Sequence, residues 1–201
     1  MSKGNTLPLA LPDRPTRSDA RRNYDRLVEA ADLAFTEHGT DASFDEIAKR
    51  AGVGSGTLYR HFPTREALMR AVFAERINKV CAQGEELLAT DDPLHALTSW
   101  LRQLIDLTMR RGLATALVAR EKTSTSELFH ACHEALRVTA RPLLARAQLD
   151  GGIRPDLALT DLLLLCHAIA SSVERSREGA EQANRLLDLV LEGLRTRPAR
   201  S

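Results

Sequence analysis

Apolar residues recur with the period of an α-helix along most of this chain. In the first such segment, Leu27, Ala30, Ala31, Ala34 and Phe35 occupy positions i, i+3, i+4, i+7 and i+8, which places them on one face of a helix. Aromatic residues make up only 4% of the sequence, and this disfavours a β-sandwich, in which aromatic and β-branched residues dominate. The pattern therefore predicts an all-α fold with about nine helices.

Capping and breaking residues divide the first part of the chain into short helices. Gly39 ends the first helix. Ser43, with Glu46 three residues later, has the pattern of a capping box and predicts the start of a second helix. Gly52 breaks that helix, and a third short helix carries residues 57–61.

The later helices are longer. Thr64 is placed to cap one of them, and Asp92, which precedes a proline, starts another. Pro142 lies inside an apolar pattern that continues beyond it, so we expect that helix to bend there rather than to end. Two further apolar helices, over about 159–177 and about 180–195, close the chain.

The composition limits the compartment and the partners. There is no charged-then-apolar leader, and no apolar run approaches the roughly 18 residues that cross a bilayer, so we expect a cytoplasmic protein with no membrane partner. Cys81, Cys132 and Cys166 are odd in number and widely spaced, which is typical of reduced, buried thiols. The net charge is +1, so affinity for nucleic acid must come from local clustering of charge.

The stretch AGVGSGTLYRHFPTREAL, residues 51–68, predicts a helix-turn-helix. A steep crossing of two short helices needs small residues at the corner, which Ala51 and Gly52 provide. Val53 and Leu58 are the apolar residues that hold the second helix against the first. The alternative is a phosphate-binding glycine loop, but no strand precedes this stretch and no Gly-Lys-Ser or Gly-Lys-Thr follows it.

The outer face of the second of these helices is small, polar and basic, and it carries Ser55, Gly56, Thr57, Arg60 and His61. Small polar residues near the start of such a helix suit close approach to base edges in the major groove. We expect direct reading of bases to depend chiefly on Thr57 and Arg60.

Other side chains near this corner suit the DNA backbone. Tyr59 and His61 can donate hydrogen bonds to phosphate oxygens, and Arg65 and Arg22 add positive charge nearby. Contacts of this kind position a protein on DNA without specifying sequence. The alternatives are that Tyr59 belongs to the core and that His61 is an ordinary surface histidine.

The segment FDEIAKRAGVGSGTLYRHFPTREAL resembles the DNA-binding signature of the TetR family of bacterial transcriptional regulators. The resemblance covers about residues 22–73. It implies that Thr57, Tyr59, His61 and Arg65 contact DNA and that Ser43 meets a phosphate.

The resemblance also implies a domain layout. We expect a disordered arm over residues 1–18, a helix-turn-helix DNA-binding domain over 19–66, a ligand-binding and dimerisation domain over 67–196, and a tail over 197–201. The later part resembles the family in architecture only, through its helix count, the turn GGIRPDL and two apolar final helices.

The two final helices predict a dimer interface. Apolar residues cover more than one face of the first of them, so one face can pack on its own core while the other needs a partner. The expected arrangement is a four-helix bundle with two helices from each subunit, and burial of both helices within one subunit is the alternative. The candidate interface residues are Leu162, Leu165, Ile169, Leu187, Val190 and Leu194.

The helices between residues 93 and 149 should enclose an apolar pocket for a small molecule. Its candidate lining residues are Trp100, Leu104, Met109, Leu117, Phe129, Cys132, His133 and Leu136.

The motif HACHE, which carries His130, Cys132 and His133, raises the alternative of a metal sensor. Cys132 faces away from the His130 side of the helix, and only His167 stands out as a further ligand, so solvated or core histidines are favoured. We expect neither a metal nor another cofactor.

These features predict a homodimeric DNA-binding transcriptional regulator. The expected mechanism is repression, with release from a palindromic operator when a small-molecule effector binds. The alternative is a helical DNA-binding architectural or interaction protein without ligand control. No catalytic constellation is recognisable, so we do not expect an enzyme.

Overall fold

The structure, a computed structural model, describes residues 14–110, 112–120, 124–173 and 178–196. Within these ranges the chain forms nine α-helices and no β-strand, so the all-α prediction is confirmed. The helices are α1 (Ser18–His38), α2 (Phe44–Arg50), α3 (Ser55–His61), α4 (Arg65–Leu87), α5 (Pro93–Met109), α6 (Gly112–Arg120), α7 (Ser124–Leu149), α8 (Leu159–Val173) and α9 (Gly179–Leu194).

The described residues form two compact units. The helix-turn-helix unit comprises the residues up to Asn78 together with Arg110–Cys132, and the C-terminal unit comprises Lys79–Met109 with the residues from His133 onward. The units are therefore not the two consecutive segments, 19–66 and 67–196, of the layout expected from sequence. The physical reason lies in α6, whose leucines join the same core as α1 to α4.

The apolar stripe of α1 forms the centre of the helix-turn-helix unit. Leu27, Ala31 and Ala34 are fully buried, and burial of an apolar side chain of leucine size stabilises a fold by about 1.5–3 kcal/mol. The other helices contribute buried residues to the same core: Ile47, Leu58, Leu68, Val72, Leu113 and Leu117. The sequence period of α1 thus fixes the face on which α2, α3 and α4 pack.

Packing of α5, α8 and α9 builds the core of the C-terminal unit. Trp100 lies at its centre, fully buried, and its indole Nε1 donates a hydrogen bond of 3.1 Å to the carbonyl oxygen of Val80. Burial raises the pKa of the Cys166 thiol to about 12. Cys81 and Cys132 are also buried and form no disulfide, which confirms the expectation of buried thiols.

Capping bonds follow the sequence at two helix starts and depart from it at a third. The amide of Ala67 donates to Oγ1 of Thr64 at 3.1 Å, and the amide of His95 donates to Oδ1 of Asp92 at 2.9 Å. Ser43 occupies the N-cap position of α2, but its side chain makes no capping bond. The capping box is therefore wrong in detail.

The long helix α7 continues through Pro142 to Leu149. Leu143 and Leu144, the two residues that follow Pro142, are buried, and their packing stabilises the helix beyond the proline. The predicted end of α8 near residue 177, most of the arm over 1–18 and the tail over 197–201 lie outside the described residues. Across the part of the chain that is described, no helix is both long and apolar enough to span a bilayer.

Candidate nucleic-acid interface and ligand cleft

The corner between α2 and α3 has the geometry of a helix-turn-helix. Gly52 adopts a φ of +67°, in the left-handed region that glycine enters without steric cost. The amide of Val53 donates to the carbonyl of Ala48 at 3.0 Å, and Leu58 is fully buried beneath α3. Gly54 is extended and precedes the first turn of α3. These are the roles predicted for Gly52 and Leu58.

Burial of Leu58 leaves the opposite face of α3 at the surface. Gly56 and Arg60 are exposed and Thr57 is half-buried. A Cβ built at Gly56 would meet no atom within 4 Å, so packing inside the protein does not require glycine there. Ser55 donates a hydrogen bond of 2.7 Å to Oδ1 of Asp45, which ties the start of α3 to α2.

Tyr59 serves both the core and the surface. Its ring packs against Phe44 with the centroids 5.4 Å apart, yet 53% of the residue remains exposed. An aromatic ring held on one side and exposed on the other presents its hydroxyl in a restricted set of positions. The core interpretation therefore holds for one side of the ring, and the contact of Tyr59 with a phosphate stays a prediction.

Arg65 has a structural role that sequence reasoning missed. Its Nη1 donates to the carbonyl oxygens of Thr40 and Ala42, at 2.9 and 2.7 Å, and its guanidinium carbon lies 5.0 Å from the centroid of the Phe44 ring. Arg65 thus satisfies two loop carbonyls between α1 and α2. No periodic pattern in the sequence signals such a long-range bond.

His61 lies partly inside the fold rather than on the open surface. Its ring makes an edge contact with Tyr24, centroids 6.2 Å apart, and its Nε2 is buried without a hydrogen-bond partner among the described residues. Burial lowers the pKa of His61 below its ordinary value of 6.5, and the charge of Arg60 adds to that shift. The structure therefore does not present Nε2 at the surface, where a phosphate would accept from it.

The remaining candidates for backbone contact are exposed. Ser43 lies at the surface at the start of α2. Arg22 lies on α1 and pairs with Asp19 one turn away, and both side chains are largely in solvent. Exposed pairs of this kind contribute about 0–1 kcal/mol, so the Asp19 pair leaves Arg22 able to exchange partners.

A cluster around Arg76 joins three parts of the helix-turn-helix unit. Its Nε lies 2.6 Å from Oδ1 of Asp32, its Nη2 donates to Oγ1 of Thr36 at 3.2 Å, and its Nη1 donates to the carbonyl of Arg110 at 3.2 Å. One largely buried guanidinium therefore links α1, α4 and the residues before α6. Sequence reasoning did not identify this cluster.

The C-terminal unit contains a cleft of about 370 Å³ between α5, α7 and α8. Four leucines form its apolar walls, and its other five lining residues carry hydroxyl, imidazole and guanidinium groups. The lining residues are Leu104, Thr108, His133, Leu136, Arg137, Thr160, Leu163, Leu164 and His167. Three predicted pocket residues, Leu104, His133 and Leu136, belong to this set.

The other predicted pocket residues lie elsewhere. Trp100 is sealed in the core of the C-terminal unit, and Leu117 in the core of the helix-turn-helix unit. Phe129 packs against Phe73, centroids 5.1 Å apart, and Met109 packs on the core of the C-terminal unit. The predicted residues thus lie partly on the cleft and partly in the two cores, because an apolar period identifies buried residues without telling a core from a cavity wall.

The predicted dimer residues separate into buried and accessible groups. Leu162, Ile169 and Leu187 are buried against their own chain. Val190 and Leu194 are partly buried against the same core, and Leu165 is 36% exposed. The structure also exposes two apolar residues that the sequence list lacked, Leu164 at 64% and Leu189 at 65%.

The histidines and the cysteine of the HACHE motif do not form a metal centre. His130 and His133 are exposed, whereas Cys132 is buried. Among the residues whose positions are described, no group of three or more His, Cys, Asp or Glu side chains is placed to hold a metal ion.

Comparison with known proteins gives matches over both parts of the chain. Residues 27–72 match the model of bacterial regulatory proteins of the tetR family. Residues 92–196 match the model described as the C-terminal domain of SbtR-like transcriptional regulators.

Solved structures and a curated relative agree with these matches. A TetR transcriptional regulator from Streptomyces coelicolor is 37% identical, with 87% of this chain and 99% of that chain covered and a TM-score of 0.75. A TetR regulatory protein from Mycobacterium vanbaalenii is 33% identical, with 90% and 99% covered and a TM-score of 0.73. The HTH-type transcriptional repressor KstR2 of Mycolicibacterium smegmatis is 27% identical over 153 residues, which span 73% of this chain and 74% of KstR2.

Proposed function

This chain belongs to the TetR family of bacterial transcriptional regulators, and from that premise we propose that it is a homodimeric repressor that a small molecule releases from its operator. The observation that carries the proposal is the exposed face of α3. Its buried residue, Leu58, fixes the helix, and its outer residues Gly56, Thr57, Tyr59 and Arg60 remain accessible.

The exposed face of α3 offers two kinds of DNA contact, one to base edges and one to the phosphate backbone. Thr57 and Arg60 make neither an ion pair nor a side-chain hydrogen bond with another described residue, so they are available to base edges in the major groove. Tyr59 is braced on Phe44 and suits a phosphate oxygen. Gly56 lets the helix backbone approach the DNA without a side chain in between.

A dimer supplies the second reading helix. A single helix-turn-helix binds DNA weakly, and dimers of this motif place two recognition helices about 34–36 Å apart, in successive major grooves. Leu164, Leu165 and Leu189 are large apolar residues that α8 and α9 expose, which supports a four-helix interface built from these two helices. Leu165 belongs to the list based on sequence, and we add Leu164 and Leu189 to it as interface candidates.

Release by a ligand requires two conformers with different affinities for DNA. A ligand that binds better to the conformer whose reading helices do not match successive grooves shifts the population toward it and lowers operator occupancy. The cleft between α5, α7 and α8 is a candidate site for such a ligand. The relative KstR2 is described as a transcriptional repressor, which agrees with a repressor that leaves its operator when a ligand binds.

Selection of binding sites from random duplex DNA, with the purified full-length protein, tests the proposal. We expect a palindromic site that binds one dimer, with half-sites about one helical turn apart. Failure to enrich any sequence would contradict sequence-specific regulation and favour the architectural alternative.

A further inference from the structure

We propose that the cleft between α5, α7 and α8 binds an apolar monocarboxylate, with Arg137 as the residue that receives its carboxylate. This inference rests on the proposed function, because it names the chemical class of the effector. The cleft combines leucine walls from three helices with a single guanidinium, and no acidic side chain lines it in the part of the chain described.

Arg137 differs from the other half-buried arginines. Arg65 and Arg146 donate to main-chain carbonyls, and Arg76 pairs with Asp32. Arg137 is also half-buried, yet it makes no ion pair or side-chain hydrogen bond with any of the described residues. A partly desolvated charge is costly unless an opposite charge or an acceptor compensates for it, so Arg137 favours an anionic ligand.

The leucines around Arg137 define the rest of the ligand. Leu104 is buried, and Leu136 and Leu163 are half-buried, so they offer apolar surface on the α5, α7 and α8 sides. Thr108 already donates its hydroxyl proton to the carbonyl of Leu104 at 2.8 Å, so it offers a carboxylate no donor, and the guanidinium of Arg137 is the group that receives it. A compact anion with an apolar body fits this arrangement better than a sugar or a polyamine does.

The volume of the cleft limits the size of the ligand. About 370 Å³ corresponds to roughly a dozen water molecules at about 30 Å³ each. A monocarboxylate of roughly a dozen non-hydrogen atoms therefore fills it. The planar guanidinium matches a carboxylate through two parallel hydrogen bonds, and a carboxylate leaves more of the cleft to the apolar body than the larger phosphate would.

Isothermal titration of the full-length protein with phenylbutyrate, decanoate and uncharged phenylbutanamide tests the assignment. We expect at least one carboxylate to bind, and phenylbutanamide to bind about tenfold or more weakly, because it lacks the charge-assisted bonds. Equal affinity for phenylbutyrate and phenylbutanamide, or no binding of either carboxylate, overturns the inference.

Two variants on the same helix localise the carboxylate. Arg137→Gln should weaken carboxylate binding about tenfold or more and leave phenylbutanamide unchanged. Arg141→Gln removes an exposed arginine one turn further along α7 that does not line the cleft, and it should bind the carboxylate as wild type does. Unchanged affinity in Arg137→Gln overturns the assignment, and thermal unfolding checks that both variants are folded.

Titration on the selected operator separates this inference from the proposed function. Arg137→Gln should bind the operator as wild type does but resist release by the carboxylate. If wild type binds the operator but the carboxylates neither bind the protein nor release it from the operator, the inference fails and the proposed function stands. If no operator exists, the proposed function fails, and the calorimetry still decides the carboxylate site.

Discussion

On α1 and α4, Asp32 and Arg76 form an ion pair in which Oδ1 lies 2.6 Å from Nε and the arginine side chain is only 11% exposed. The same guanidinium bonds Thr36 and the carbonyl of Arg110. Asp32→Ala should therefore leave a largely buried charge without its anion and lower the free energy of unfolding by about 1–3 kcal/mol.

Urea unfolding followed by circular dichroism measures this loss. Asp25→Ala is the matched control on α1, because it breaks the solvent-exposed Arg14–Asp25 pair and should change stability by less than about 1 kcal/mol. Equal losses in the two variants would show that the buried position of Arg76 gives the pair no added strength.

Arg65 should stabilise the loop between α1 and α2 independently of DNA. Arg65→Ala leaves the carbonyls of Thr40 and Ala42 without their donor, so we expect a loss of about 2 kcal/mol in unfolding free energy. Arg60→Ala, at an exposed position on α3, should change stability by about 0.5 kcal/mol or less. Arg65→Ala as stable as Arg60→Ala would contradict the structural role.

Gly56 should favour DNA binding at the expense of helix stability. Its missing Cβ would meet nothing in the protein, so Gly56→Ala should stabilise the fold by roughly 0.5–1 kcal/mol while the added methyl weakens operator binding. Gly112→Ala, in the first turn of α6 and also without a neighbour within 4 Å, should stabilise the fold without affecting DNA affinity. Unfolding and anisotropy titrations measure the two effects, and unchanged operator affinity in Gly56→Ala would contradict close approach at this helix.

His61 should make stability depend on pH below neutrality. Its pKa in the folded protein is below the ordinary 6.5 because the ring is buried, so the unfolded chain holds the proton more tightly. Its contribution to stability is complete above pH 6.5 and is lost as the pH falls toward the folded-state pKa. His61→Phe should flatten this part of the profile, and an NMR titration that gave His61 a pKa at or above 6.5 would contradict its burial.

Local patterns were sufficient for the helices and for the corner. The stripe from Leu27 to Phe35 and the glycines at 39 and 52 are short-range signals, and the structure follows them. They could not identify the partners of Arg65 and Arg76, because those bonds join residues 23 to 44 positions apart in sequence.

The functional faces of the C-terminal unit were harder to predict. Leu162, Leu163, Leu164 and Leu165 are consecutive, so they surround α8 and the helical period cannot tell its buried face from its exposed one. Only packing against α5 and α9 decides that Leu162 is buried and Leu164 exposed. For the same reason the sequence could not tell Trp100, a core residue, from Leu136, which forms a wall of the cleft.

The central claim, that α3 reads DNA sequence, is tested most directly by anisotropy titration of wild type and Arg60→Ala on the selected operator and on duplexes with single base changes. We predict that one base pair in each half-site loses its preference in Arg60→Ala, with affinity for the operator reduced by about 1–3 kcal/mol per base contact. If Arg60→Ala binds the operator and every changed duplex as wild type does, then Arg60 on α3 does not read the sequence.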